Sequence, residues 1–363
     1  MFKCENFLMK KIVCKSFYRS VIFSLMSLFL FSCRPENIVL NENIVLFSKF
    51  SEEDKISFNN ICEYKKGAVG MLELVDSVLI IFNVNEGAKY FLNNYSLNSD
   101  QIFKKYLSAG KGPGEVIGAR GIGINNNFLW VQDITLKKIL TLEKTNALSE
   151  DTLVSFNEHP VNEDYYMIDF KDKFHYFGVG FEHSAYKIQE VDLVSGKIIN
   201  EIGTFDHKPD DLEFSAVKTA YQCFIHVKPT GDKIVLAYRF TDAIEIFDLK
   251  AQKNMLIHGP ERFNADFQPA KNTMYRTDKT RFAFVGGGGT VTDNYIYMCY
   301  SGDLAKKSGA TYAKYIYVYD WDGNPVRKLI LDRQIEGLAV SEDDSVIYAF
   351  DVNTGFLIQA KIN

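Results

Sequence analysis

Short apolar segments alternate with polar turns along most of this chain, and no long stretch carries the apolar periodicity of an amphipathic helix. The turns are rich in Asn, Asp and Gly, which tolerate positive φ and therefore form hairpins. They stand at residues 75–77, 125–127, 171–173, 229–232, 292–294 and 341–344. Each turn precedes a segment with strand character: Val78–Phe82, Leu129–Val131, His175–Val179, Ile234–Tyr238, Ile296–Tyr300 and Val346–Phe350. The pattern predicts an all-β chain of antiparallel hairpins.

These six segments recur at a regular interval. Their first residues are separated by 51, 46, 59, 62 and 50 positions, and each unit has room for three or four short strands. A period in this range, with that number of strands, is typical of a β-propeller in which each unit forms one blade. We therefore predict a six-bladed β-propeller.

The two ends of the repeat predict how the ring closes. The sixth unit stops after its third strand, Phe356–Ile362, so the outer strand of its blade is missing. A spare apolar segment, Ile38–Phe47, lies before the first unit. Pairing this N-terminal strand with the C-terminal blade would cover an exposed sheet edge and close the ring. We therefore predict a single propeller domain over residues 38–363.

The first 33 residues have the layout of a secretion signal with a lipid attachment site. Basic residues precede an apolar run, Val21–Phe31, that is too short to span about 30 Å of hydrocarbon. The run leads into Leu30-Phe31-Ser32-Cys33, which resembles the lipobox of bacterial lipoproteins. The resemblance implies that residues 1–32 are a signal peptide, with Met9 as an alternative start, that Cys33 carries the lipid and that residues 33–37 form a tether. The alternatives are a cleaved secretory peptide with an incidental cysteine and a membrane-anchoring helix.

Three further motifs resemble those of six-bladed propeller lipoproteins from Bacteroidota. Gly110-Lys111-Gly112-Pro113-Gly114-Glu115 is similar to their Gly-x-Gly-Pro-Gly-Glu stretch, and residues 319–325 and 335–340 resemble the TolB-like subgroup. The resemblance implies a propeller anchored in the cell envelope, on the outer membrane, and implies little about activity. Residues 34–37 match an acidic surface-export signal poorly, so the choice between the periplasmic and the surface face stays open.

Charge and cysteine usage argue against two classes of function. The formal net charge is −5, and it becomes −9 once the predicted signal peptide is removed. No basic stripe offsets this balance, so we expect no nucleic-acid partner. Cys62, Cys223 and Cys299 are far apart, lack a Cys-x-x-Cys spacing and stand among apolar residues, which favours buried thiols over a zinc site. One disulfide among them is left open.

The loops that enter the innermost strands of a propeller ring one mouth of its channel, and they form the predicted binding site. Arginine, tyrosine and glutamate residues there would suit a carboxylate, a sugar or a peptide terminus. The predicted channel-mouth residues are Arg120, Tyr165, Tyr221, Arg239, Arg281, Tyr300 and Glu336. The alternative is that the arginines pair with acids across blades and plug the channel. The run Gly286–Gly289 falls beside the same channel and predicts either close packing or room for a ligand.

Three functions fit the sequence. The first is a non-catalytic lipoprotein, held on a membrane by lipid on Cys33, whose propeller binds an envelope protein or a small ligand. The second is a metal-dependent hydrolase or lyase of the lactonase type, which would use Ca²⁺ and need several acids on the axis. The third is a structural scaffold in an envelope complex. Glu336 is the only well-placed acid and no metal-ligand spacing is present, so the sequence favours binding, with no catalytic residue, metal ligand or cofactor.

Overall fold

The computed structural model describes residues 43–362, except 85–88, 126, 152–153, 182–183, 206–207, 209–211 and 271–272. The predicted signal peptide, Cys33, the tether and residues 38–42 lie outside the described residues. The described part has an all-β propeller fold in which strands dominate and two short helices occur. Neither helix has the length and apolar character needed to cross a bilayer.

The elements are numbered in chain order. The helices are α1 (Lys144–Leu148) and α2 (Phe214–Ala220). The strands are β1 (Ile44–Leu46), β2 (Glu52–Ile56), β3 (Asn59–Glu63), β4 (Val69–Val75), β5 (Val78–Asn83), β6 (Tyr90–Ser96), β7 (Gln101–Ser108), β8 (Ala119–Ile124), β9 (Phe128–Asp133), β10 (Lys138–Glu143), β11 (Asn157–Pro160), β12 (Met167–Phe170), β13 (His175–Val179), β14 (Tyr186–Asp192), β15 (Ile198–Thr204), β16 (Cys223–Val227), β17 (Lys233–Tyr238), β18 (Ala243–Asp248), β19 (Lys253–His258), β20 (Phe267–Ala270), β21 (Thr273–Arg276), β22 (Phe284–Val291), β23 (Tyr295–Tyr300), β24 (Ala313–Asp320), β25 (Pro325–Val340), β26 (Val346–Asp351) and β27 (Phe356–Lys361).

Most of these strands form antiparallel meanders. Meanders 1 to 4 are separate sheets made of β4–β7, β8–β11, β12–β15 and β16–β19. An eight-stranded sheet contains two more: meander 5 runs from β22 into β25, and meander 6 runs from the end of β25 through β26 and β27 to β3. The long strand β25 belongs to both, because it pairs with β24 up to Ile335 and with β26 from Ile335 onward.

The predicted hairpins are confirmed. The six segments identified from the sequence lie within β5, β9, β13, β17, β23 and β26. Asp76 and Asp344 adopt φ values of 53° and 57° in the turns before β5 and β26, and Gly231 adopts 74° in the turn before β17. Residues that tolerate positive φ therefore stand at turns that require it.

The predicted partner of the C-terminal strand is wrong. The described end of Ile38–Phe47 forms β1, which pairs in parallel with β19 of meander 4, and β2 pairs in parallel with β25. The strand beside β27 is instead β3, with Cys62 opposite Leu357 and Asn59 opposite Gln359. The segment was chosen for its apolar character, but β3 is an outer strand whose residues are exposed or half-buried, so it needs little of that character.

Adjacent meanders pack face to face through apolar cores. One core joins Phe82 of meander 1 to Leu140 of meander 2. The next joins meanders 2 and 3, where the rings of Phe128 and Phe170 meet edge to face with their centroids 5.0 Å apart. Such contacts hold neighbouring meanders at a fixed angle and bring their first strands side by side.

The three described cysteines are free thiols. Cys223 and Cys299 are buried, as predicted, and burial raises the pKa of each thiol to about 12. Cys62 in β3 is only half-buried.

In the motif Gly110–Glu115, the glutamate side chain binds the backbone of the motif itself. The Glu115 carboxylate accepts a hydrogen bond of 2.8 Å from the Gly112 N–H, and a Cβ on Gly110 would meet that carboxylate at 1.9 Å. The Gly114 N–H donates to Glu158 of meander 2 at 2.6 Å. Carboxylates of the chain itself thus bind two of the loop amides, and the motif links meanders 1 and 2.

The run Gly286–Gly289 lies within β22 and has positive φ throughout. A Cβ on Gly289 would lie 2.0 Å from the Tyr297 carbonyl oxygen, and one on Gly288 would lie 2.4 Å from Cγ of Phe224. Close packing therefore explains these two glycines. A Cβ on Gly286 would meet no heavy atom nearer than 3.6 Å.

Candidate ligand-binding channel

The first strands of the six meanders surround one channel. β4 contacts β8, β8 contacts β12, β12 contacts β16, β16 contacts β22, β22 contacts β25, and β25 contacts β4. Each of these strands contributes residues to the wall of a cavity of about 540 Å³. Ligand pockets in proteins commonly have about 300–1,000 Å³, so the channel can hold a small molecule.

The channel wall is mixed, and polar atoms make up more of its accessible surface than apolar atoms do. Methionine, leucine, isoleucine, valine and glycine residues from all six strands contribute to it, together with Trp130 and Phe170. Within the lining strands, the polar side chains are those of Glu73, Asp169, His226 and Thr290. Polar groups at defined positions in a pocket fix the orientation of its ligand.

Two carboxyl groups line this channel, Glu73 on β4 and Asp169 on β12, and they are close enough for the charge of Asp169 to act on Glu73. Burial, with a smaller contribution from the charge of Asp169, raises the pKa of Glu73 to about 8. Burial also raises the pKa of Asp169 to about 7, although its carboxylate accepts hydrogen bonds of 2.7 Å from the backbone N–H groups of Val227 and Phe170. No cation among the described residues lies close enough to lower either pKa.

His226 on β16 adds a neutral imidazole to the channel. Burial lowers its pKa to about 4, so the ring carries no charge at neutral pH. Its Nε2 is buried and has no hydrogen-bond partner in the described part of the chain. The lining of the channel therefore includes two carboxyl groups and a neutral imidazole.

Charged residues also line the channel, most of them just after a lining strand. Lys171 pairs with Glu190 at 2.6 Å, and the Lys228 ammonium lies 5.8 Å from the centroid of a Trp321 ring. This rim consists of Lys144, Lys171, Lys228, Asp293 and Glu342. Because the rim mixes both signs, the charge preference of the site comes from Glu73 and Asp169 deeper in the channel.

A family comparison identifies the architecture. The model of the TolB-like 6-blade propeller-like family matches residues 71–343. The chain belongs to this family. The match covers the channel-lining strands from β8 to β25 completely and most of β4.

Solved structures agree on the fold of this TolB-like propeller. A Bacteroides fragilis protein to which export is attributed is 13% identical, with a TM-score of 0.53 over 88% of this chain and 99% of its own. A member of the DUF4221 family from Bacteroides vulgatus is 9% identical, with a TM-score of 0.51 over 85% of this chain and 98% of its own. No curated protein matches the sequence. At these identities the likeness concerns the fold alone.

None of the seven predicted channel-mouth residues is among the described residues that line the channel of this TolB-like propeller. Two of them meet at Tyr166, which follows the predicted residue Tyr165. The Arg120 guanidinium lies 4.4 Å from the centroid of the Tyr166 ring, and Arg239 Nη1 donates to the Tyr166 hydroxyl at 2.8 Å.

The two predicted tyrosines beside this group, Tyr165 and Tyr221, are each held in place. The Tyr165 hydroxyl donates to Gln189 Oε1 at 2.9 Å. Tyr221 packs edge to face on Tyr238 with centroids 6.0 Å apart, and burial raises its pKa to about 12.

The other three predicted residues stand apart from that group. Arg281 forms an ion pair with Glu261 and donates to the Gly302 carbonyl oxygen at 2.8 Å. Tyr300 is fully buried and stacks on Tyr317 with centroids 4.0 Å apart. Burial raises the pKa of Glu336 to about 7. The alternative from the sequence was that arginines pair with acids across blades and plug the channel. Arg281 and Glu261 instead lie in the same connection, between meanders 4 and 5, and neither is among the described residues that line the channel.

Glu73, Asp169 and His226 were not predicted from the sequence as channel residues, although a sequence pattern marks them. Each is a single titratable residue flanked by apolar neighbours in a first strand: Leu72-Glu73-Leu74, Ile168-Asp169-Phe170 and Ile225-His226-Val227. A titratable residue inside an apolar strand is costly unless it faces a polar space. Recognising that all three stand in first strands would have pointed to the channel.

The described residues contain no group of three or more His, Cys, Asp or Glu side chains arranged to hold a metal ion. Glu73 and Asp169 nevertheless line the channel with two acids. The sequence had suggested only one acid, Glu336, near the channel.

Proposed function

We propose that this TolB-like propeller is an envelope protein that binds, in its central channel, a small ligand with a cationic amine and an apolar body. The observation that carries the proposal is the pair of carboxyl groups, Glu73 and Asp169, within one cavity of about 540 Å³. Two carboxyl groups whose pKa values no cation of the described residues lowers favour a ligand that supplies the cation. The apolar side chains that form part of the wall, such as Met71, Ile124 and Val291, favour contact with an apolar part of the ligand.

An amine suits this site better than the carboxylate expected at the mouth. A carboxylate ligand would add a third acidic group beside Glu73 and Asp169, which repel it when ionised. An ammonium ion would instead favour the ionised form of both and donate up to three hydrogen bonds. His226, neutral and with Nε2 unpaired, offers a further polar contact.

The propeller is proposed to be a closed ring of six blades over residues 38–363. The cycle of contacts among the six first strands supports this arrangement, as does the pairing of β3 with β27 across the two ends of the chain. Four of the blades are the separate sheets of meanders 1 to 4, and β25 joins the other two.

The propeller is further proposed to be held on the outer membrane by lipid on Cys33. The support is the lipobox-like sequence before Cys33 and the export attributed to the similar Bacteroides fragilis protein. A Bacteroidota host grown with an alkyne-tagged fatty acid should label the full chain, and Cys33→Ala should abolish the label while Cys62→Ala keeps it. Equal labelling of the Cys33→Ala variant would contradict anchoring at this residue.

The ligand proposal is tested with a matched pair of probes, n-hexylamine and n-hexanol, by calorimetry on the chain without its signal peptide. The two share an apolar body, so they differ in the charge that Glu73 and Asp169 would recognise. We expect the amine to bind at least about tenfold more tightly, because a charge-assisted contact is worth more than a neutral one. Glu73→Gln should remove most of that difference, whereas Glu342→Gln at the exposed rim should change it less than about twofold.

The pH dependence of amine binding provides a second test of the ligand proposal. In the empty channel the raised pKa values, about 8 for Glu73 and about 7 for Asp169, leave both groups largely protonated at pH 6. An alkylamine stays charged up to a pKa of about 10, as lysine does. Amine affinity should therefore rise at least about tenfold from pH 6 to pH 8.5 as the carboxyl groups ionise. Affinity that falls over this range, or hexanol binding as tightly as hexylamine, would contradict the proposal.

A hydrolase is the second candidate, favoured by one observation. A carboxyl group that keeps its proton near neutral pH can act as a general acid, and Glu73 has the required pKa beside a second carboxyl group. Turnover of a lactone or glycoside that Glu73→Gln abolishes, with hexylamine as a competitive inhibitor, would favour this function over simple binding.

A further inference from the structure

A second pocket, of about 300 Å³, lies between meanders 2 and 3, with α2 forming part of its wall. It shares no lining residue with the channel. One side is formed by Gln132 at the end of β9, and another by Glu163, Tyr165 and Tyr166 in the loop before β12. Lys218 of α2 forms a further part of the wall.

Lys218 brings a buried cation to this pocket. Its side chain is 6% exposed, and its Nζ donates to the Phe181 carbonyl oxygen at 2.6 Å and lies 3.8 Å from the centroid of the Phe181 ring. No carboxylate of the described residues forms an ion pair with it. Burial lowers the pKa of Lys218 to about 8, an effect that Glu201 and Glu163 partly offset from a distance. Two of its three N–H groups therefore remain for an anion.

Gln132 adds a hydrogen-bond acceptor to the pocket wall. Its residue is 2% exposed, and its side-chain N–H donates to the Tyr165 carbonyl oxygen at 3.0 Å, which fixes the orientation of the amide. Its Oε1 is buried and finds no donor among the residues that the structure describes. An acceptor buried without a partner costs about 1–3 kcal/mol, so the site favours a ligand that supplies an N–H or O–H. The Glu163 side chain adds a negative charge to the same pocket.

We propose that this pocket binds a free α-amino acid, with the ligand carboxylate on the Lys218 ammonium and the ligand ammonium on Gln132 Oε1 and Glu163. The pocket holds an unpaired cation and an unpaired acceptor within about 300 Å³. A ligand that bears only an anion satisfies Lys218 and leaves Gln132 without a donor, and a simple amine does the reverse. A zwitterion satisfies both, and the volume suits a molecule of amino-acid size.

Two other lining residues, Tyr166 and Gln222, are held in place by residues that the sequence had placed at the channel mouth. The Tyr166 hydroxyl accepts a hydrogen bond from Arg239, and its ring lies against Arg120. Gln222, another lining residue, also accepts from Arg239 at 3.3 Å. Preorganised walls lower the entropy cost of binding a small ligand. Arg120 and Arg239 thus hold lining residues of the pocket in place and are not among its described lining residues themselves.

The experiment is calorimetry on the chain without its signal peptide, using L-alanine, L-leucine and L-glutamate with two fragments of alanine, propionate and ethylamine. At least one amino acid should bind, and if L-alanine binds, it should do so at least tenfold more tightly than either fragment. Lys218→Met should weaken amino-acid binding at least tenfold. Lys250→Met is the control, because Lys250 is exposed, pairs with Asp232 at 2.9 Å and does not line this pocket; its effect should stay below twofold.

Folding and binding can be separated in this test. Melting curves of Lys218→Met show whether the variant folds, and ¹³Cε spectra of lysine-labelled wild-type protein provide a readout without substitution. The pKa of Lys218 should rise when an amino acid binds, because its ammonium gains a carboxylate partner. Equal binding of propionate, unchanged binding by Lys218→Met, or no binding of any amino acid would overturn the proposal. Glu73→Gln should leave amino-acid binding intact, so failure here is distinguishable from failure of the channel proposal.

Discussion

Replacing Lys187 with methionine should lower the free energy of unfolding by about 3–5 kcal/mol, the usual cost of leaving one partner of a buried ion pair alone. Lys187 lies on β14 and Glu245 on β18, and both side chains are almost completely buried. The Lys187 Nζ lies 3.0 and 2.9 Å from the two carboxylate oxygens of Glu245. Tyr238 and Asn254 also donate to that carboxylate, at 2.6 and 2.8 Å. The pair therefore joins meanders 3 and 4 through their interiors.

Urea unfolding of three variants isolates this effect. Lys250→Met is the control, because Lys250 of meander 4 is exposed and pairs with Asp232 on the surface, and its unfolding midpoint should stay close to that of the wild type. The double variant Lys187→Met with Glu245→Gln should recover part of the stability lost in Lys187→Met, since the unpaired charge is removed. A Lys187→Met protein as stable as Lys250→Met would show that the pair does not hold the meanders together.

Local features made much of the fold predictable from the sequence. Hairpin turns depend on neighbouring residues alone, so Asp76, Gly231 and Asp344 marked their turns correctly. The apolar second strands are buried on both faces, which gave six recognisable segments and their period. A repeat of this kind determines an architecture because each unit packs only on its neighbours.

Features that depend on distant residues were not predictable in the same way. The partner of β27 could not be chosen by hydrophobicity, because β3 is an exposed outer strand. Lys187 and Glu245 are 58 residues apart, and nothing in the sequence between them indicates a pair. The loops before the first strands were recognised, but the contacts of Arg120 and Arg239 with Tyr166 and Gln222 depend on packing between separate segments and could not be predicted.

Progressive shortening of the N-terminus should show where the ring depends on β3. A chain that begins at residue 47 loses β1, which is three residues long and mostly exposed, and keeps Phe47, so its stability should change by about 1 kcal/mol or less. A chain that begins at residue 57 also loses Phe50 and Ile56, whose burial contributes about 1.5–3 kcal/mol each. A chain that begins at residue 64 further loses Phe58 and β3, leaving the edge of β27 uncovered.

The last step should be the most damaging, because it removes a core phenylalanine and opens the sheet where the two ends of the chain meet. Net stabilities of about 5–15 kcal/mol leave little after the combined losses, so the chain from residue 64 should lose its cooperative unfolding transition and near-ultraviolet circular dichroism. It should also associate through the exposed edge of β27, which sedimentation would detect. The variant Phe58→Ala in the chain from residue 57 separates the two causes, since it deletes the side chain and keeps β3. If this variant behaves like the chain from residue 64, the phenylalanine alone accounts for the loss and closure through β3 is contradicted.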